Sequence, residues 1–78
     1  MNDNRRCVYR ALLCAPSRTW TVRQLSQAVP TVAGGAVRDA VNQLLAEGLL
    51  RQVPYQRALT CGLTDKGRQA LARLLRGA

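Results

Sequence analysis

Arg38, Asp39, Asn42 and Gln43 stand on one short stretch, GGAVRDAVNQLLAEG, whose apolar residues Val37, Val41 and Leu44 recur at helical spacing. That stripe sets the inner face of a helix, so Arg38, Asp39 and Asn42 point away from it and Gln43 falls at its margin. Arginine suits a two-pronged contact with a guanine edge in a DNA major groove, and asparagine one with adenine. Asp39 fits less well, because an acid there repels phosphate. It either accepts from cytosine N4 or pairs with Arg38 or another arginine and holds it in place. The competing reading of all four residues is a solvated helix face.

Gly34 and Gly35 open the same helix. A first turn without side chains lets its free N–H groups, at the positive end of the helix, approach a phosphate or the floor of a groove. The competing reading is a flexible turn. Charge favours an anionic partner: twelve basic residues against four acidic ones leave +8 on 78 residues, and the sequence pI is about 11.1. Eleven of the twelve are Arg and one is Lys66. Codon usage would explain Arg over Lys but not the shortage of acids. Such a surplus on a small domain is the footprint of a nucleic-acid binder.

Little else in the chain could do chemistry. It has no His, and Asp3, Asp39, Glu47 and Asp65 are scattered, so no general acid–base pair or metal site is expected. No phosphate-cradling glycine loop of the P-loop kind occurs. An enzyme is therefore not expected, nor a cofactor. Cys7, Cys14 and Cys61 are odd in number, which fits a reducing compartment, and all three are expected to pack in the core.

The elements that would position these residues follow from periodicity and punctuation. Helix 1 is expected over about 4–14, with Val8, Ala11, Leu12 and Ala15 on one face and Tyr9 and Leu13 beside it. Arg18-Thr19-Trp20 reads as a minimal strand or bridge. Thr21-Val22-Arg23-Gln24 matches a capping box and starts helix 2, about 21–29, with Leu25, Ala28 and Val29 inward and Pro30 as its stop. Helix 3 is expected over about 34–47, ended by Gly48. Thr31 is a candidate cap for it. A hairpin over about 50–63 follows, turning at Pro54 to Arg57, with Leu59, Cys61 and Leu63 alternating. Thr64 or Asp65 caps helix 4, about 65–76, which turns Ala70, Leu71, Leu74 and Leu75 inward. Trp20 and Tyr55 are expected in packing roles. One α+β, mainly α domain over 1–78 results, in which helices 2 and 3 form a helix-turn-helix.

Two runs carry a family likeness: AVRDAVNQLLAEGLLRQ, from Ala36 to Gln52, and LTCGLTDKGRQAL, from Leu59 to Leu71. The first is similar to a recognition helix with its "GL" exit into a wing, the second to a last wing strand entering a closing helix. In order and spacing the chain resembles the winged helix-turn-helix family, in particular compact bacterial and phage regulators of the MarR/PadR type. The likeness implies a three-helix core, a small β-hairpin wing and a C-terminal helix. It also implies sequence-specific binding of double-stranded DNA by a small transcriptional regulator or a phage or mobile-element control protein. Helix 3 would then enter the major groove.

On that reading Gln56 and Arg57 at the wing tip contact backbone or minor groove, and Arg18, Thr21 and Arg23 contact phosphate. About four residues separate the wing strands, which favours phosphate contact over deep insertion. The alternative is a winged-helix protein–protein interaction module. One module covers only about 600–1,000 Å² of DNA, so a homodimer is expected, through helix 1 (Tyr9, Leu13) and/or helix 4 (Leu75). The terminal helices that build the dimer in larger family members are not expected from these 78 residues, and no small-molecule ligand is inferred. The start, MNDNRRCVYR, lacks a signal-peptide apolar core, and no run is long enough to span a bilayer; a cytoplasmic location is expected.

Overall fold

The structure, a computed structural model, describes residues 3–77. The chain runs α1 (Asp3–Cys14), β1 (Thr19–Thr21), α2 (Val22–Ala28), α3 (Gly34–Ala46), β2 (Leu50–Gln52), β3 (Thr60–Leu63) and α4 (Asp65–Gly77). α3 packs against α1 and α2, and α4 returns to α1. Leu12, Leu25, Val37, Val41, Leu44 and Leu71 are fully buried where these helices meet. Ala40 joins them, a small residue that the apolar stripe of α3 did not announce. No helix among the described residues is long and apolar enough to cross a membrane.

α2 has only seven residues, too few to be stable alone. It is held at its start by the capping box: the Gln24 N–H donates to Thr21 Oγ1 at 3.0 Å, and the Thr21 N–H donates to Gln24 Oε1 at 3.1 Å. Leu25 anchors its middle, a burial worth about 2 kcal/mol. Ala28, expected inward, is exposed, because Leu25 and Val29, one turn apart, supply the buried side here.

α3 ends on Gly48, whose φ of 75° lies in the left-handed region that glycine enters without strain. The Leu49 N–H reaches the Leu44 carbonyl at 2.9 Å and the Gly48 N–H the Leu45 carbonyl at 3.2 Å, the paired bonds of a Schellman turn. The chain is thereby aimed from α3 into the sheet. Thr64 completes this junction. Its hydroxyl accepts from the Gly67 N–H at 2.9 Å, capping α4, and faces the Gly48 and Leu49 carbonyls at 3.0 Å each. α4 comes so close here that a Cβ on Gly67 would stand 1.9 Å from the Leu49 carbonyl oxygen.

The sheet differs from a two-stranded hairpin. β1 pairs with β3, giving the antiparallel order β1-β3-β2, with Trp20 opposite Cys61. β3 is thus the central strand. Thr60 and Gly62 are buried along with Cys61, which removes the expected alternation. Burial pushes the Cys61 thiol upward from its ordinary pKa. Cys7 is half-buried and packs against the core, but Cys14 is exposed at the end of α1 and lacks the core role expected of all three. Trp20 is buried, as expected. Tyr9 is buried too, which removes it as a surface for a second copy. Leu74, expected inward on α4, is 46% exposed, and Leu75 packs partly against the core.

Candidate nucleic-acid interface

α3 presents its outer side beside the start of α2. Because Val37, Val41 and Leu44 are buried, Arg38 and Asn42 must face outward, one turn apart. Across from them Thr21 and Arg23 open α2 at the capping box. Thr21, Arg23, Gly34, Gly35, Arg38 and Asn42 line one open groove of about 1020 Å³, whose far wall is Ala58 and Leu59 at the foot of the wing. Two guanidiniums and no carboxylate line it. The groove therefore favours an anionic occupant.

The start of α3 forms one end of this groove. Its N-cap is Ala33, with no side-chain hydrogen bond, so Thr31 does not cap it. Beyond the helix's own nearby backbone, nothing lies within 4 Å of where a Cβ would stand on Gly34 or Gly35. The first turn is open on both counts.

The remaining expected residues lie elsewhere. Asp39 is exposed next to the groove, outside its lining, and makes no ion pair among the described residues. It does not hold Arg38. Gln43 Oε1 accepts a hydrogen bond from Arg5 on α1, so this margin residue is tied to the neighbouring helix and turned from the groove. Arg18 stacks its guanidinium over Trp20, 4.2 Å from the ring centroid, and lines a separate cleft. Its distance from α2 was invisible while β1 had no assigned place in a sheet.

The wing is longer than the expected four residues. β2 ends at Gln52 and β3 begins at Thr60, leaving residues 53–59, although the Val53 N–H still reaches the Thr60 carbonyl at 2.8 Å. Gln56 and Arg57 are exposed in this loop. Tyr55, expected to pack, is fully exposed at 101% and has a φ of 64°. An aromatic residue at positive φ is uncommon, since its Cβ crowds the backbone there. Sequence reasoning passed over Tyr55 because aromatic residues are usually buried; the flanking Pro54 and the turn it implies were the available signal.

No protein-family model matches the sequence, and no curated protein matches it. Solved structures do. The chain is similar to the transcriptional regulator BldR from Sulfolobus solfataricus, with 28% identity and a TM-score of 0.67 over 90% of this chain and 55% of that one. It is also similar to the MarR family regulator NMB1585 from Neisseria meningitidis (21% identity, TM-score 0.74, 99% of this chain and 54% of that one). A MarR family protein from Bacillus stearothermophilus matches at 19% identity and a TM-score of 0.71, over 99% of this chain and 53% of that one. The chain spans about half the length of each. With its helix-turn-helix, three-stranded sheet and closing helix in this shared arrangement, the chain has the winged helix-turn-helix fold of MarR-family regulators.

Proposed function

We propose that this domain binds double-stranded DNA with sequence preference and acts as a small transcription regulator, α3 lying in the major groove. The observation that carries the reading is the acid-free groove in which Arg23, Arg38 and Asn42 meet the open first turn of α3, on a chain of net charge +8. Arg38 and Asn42 read base edges, Arg23 and Thr21 take phosphate, and the Gly34 and Gly35 N–H groups approach the backbone. Gln56 and Arg57 contact backbone from the wing, now joined by Tyr55. A second copy seats against the first along α4, where Leu74 is exposed.

Duplex binding measured against salt tests this. About six phosphate contacts predict a log–log slope near −5, and a flat response or no binding would overturn the proposal. In the same assay Arg38→Ala should cost about 1–3 kcal/mol and relax base preference, whereas Arg57→Ala should weaken all sequences alike.

A further inference from the structure

A second cleft, of about 210 Å³, opens at the other end of β1. Thr21 at one end of this strand lines the groove, while Thr19 at the other end lines this cleft. The sheet register builds its floor. Thr19 on β1 and Arg51 on β2 both stand opposite Gly62 of the central strand. Directly opposed residues share a face, so Gly62 leaves a bare strip between the two side chains. A Cβ there would sit 3.6 Å from Thr19 Cγ2 and begin to fill the strip. Arg18 enters from the loop before β1, and Arg68 from the first turns of α4.

Arginine residues from three separate parts of the chain, Arg18, Arg51 and Arg68, thus line one small cleft, with one acidic residue, Asp65. That carboxylate is a weak counter-charge: it is 96% exposed and 3.9 Å from Arg68. Arg51 makes no ion pair among the described residues. Arg18 is steadied by its stack on Trp20, which leaves its in-plane N–H groups free to donate. The first-turn N–H groups of α4, thirteen residues long, add positive potential beside Thr64 and Asp65.

Several cationic residues around one cleft favour an anionic occupant. The guanidinium fork matches an oxyanion in two-pronged fashion. The volume lies below the roughly 300–1,000 Å³ of sites for drug-sized ligands, so the occupant is compact. Three arginines against one aspartate leave two positive charges, which a dianion balances. We infer that this cleft binds a phosphate dianion, either free inorganic phosphate or the phosphomonoester end of a small metabolite. Such binding does not depend on DNA.

Amide NMR of the full chain, titrated with inorganic phosphate and separately with methyl phosphate against chloride at matched ionic strength, tests it. Saturable shifts are expected at Gly62, Asp65 and Lys66, with a Kd on the order of 1 mM. Arg51→Gln and Arg68→Gln should each weaken binding about tenfold, the loss of one charge-assisted contact. Asp65→Asn should tighten it, and Arg73→Gln, outside both clefts, should leave it unchanged. Methyl phosphate binding as tightly as phosphate assigns the cleft to a phosphomonoester; phosphate binding alone assigns it to the free ion. Shifts that never saturate, that persist in the Arg51→Gln/Arg68→Gln double variant, or that centre on Arg38 and Asn42 would each overturn the inference. So would duplex DNA that moves the same three amides in the parent but not in Arg51→Gln, because the cleft would then belong to the duplex footprint.

Discussion

Tyr55 gains nothing from burial, since its ring is wholly in water, and its backbone is left-handed. The backbone conformation costs on the order of 1–2 kcal/mol for a side chain with a Cβ. Tyr55→Gly should therefore leave stability unchanged or raise it by up to about 1 kcal/mol, because relief of strain outweighs the added freedom of the unfolded chain. Duplex affinity should fall in the same variant. Thermal melts read beside binding isotherms check this, and unchanged affinity would remove Tyr55 from the wing's role. At this scale legibility depended on what orients a side chain. Arg38 and Asn42 could be read because their own helix fixes their direction. Gln43 and Arg18 could not, since Arg5 and Trp20, remote in sequence or in the expected layout, decide where they point.

Among the elements, the junction of α3, β2 and α4 sets the geometry of the wing. Gly67 permits it, for α4 crosses the Leu49 carbonyl with no room for a methyl group. Gly67→Ala should destabilise the domain by about 2–3 kcal/mol, which lowers Tm by roughly 10–20 °C in a domain of this size. A melt within a few degrees of the parent would show that α4 can shift freely, contrary to this packing. The capping box and the glycine stop of α3 were readable because each is a local exchange between near neighbours. β1 was readable only as a fragment: three residues carry no useful period, and its pairing with β3 is a long-range event across about forty residues. The same pairing made β3 central and spoiled its alternation. Gly67 stands inside the run from Leu59 to Leu71 that carries the family likeness, but the reason for a glycine there lies in an approach that only the folded chain displays.

For the whole molecule, the relation to the larger regulators is one of half to whole, since this chain matches about half the length of each. On the proposed reading, one domain of this size covers only about 600–1,000 Å² on DNA, so site selectivity would call for a second copy. Selection of bound duplexes from a random pool should return a pseudo-palindrome with half-sites about one helical turn, or a multiple of it, apart. A lone half-site would instead mean that one copy suffices. Charge and the two motif runs made the architecture legible from the start, because both are properties of the chain as a sum. The second cleft was not, being assembled from a loop, a strand and a helix. One residue stands between the two surfaces. Trp20, the sole tryptophan, lies on β1 between Thr19 and Thr21, buried and with Arg18 over its ring. The protein therefore carries its own fluorophore at the partition: an anion bound in the plane of the stacked Arg18 guanidinium should change its emission, and so should any strain that a bound duplex transmits through Thr21, with no label attached.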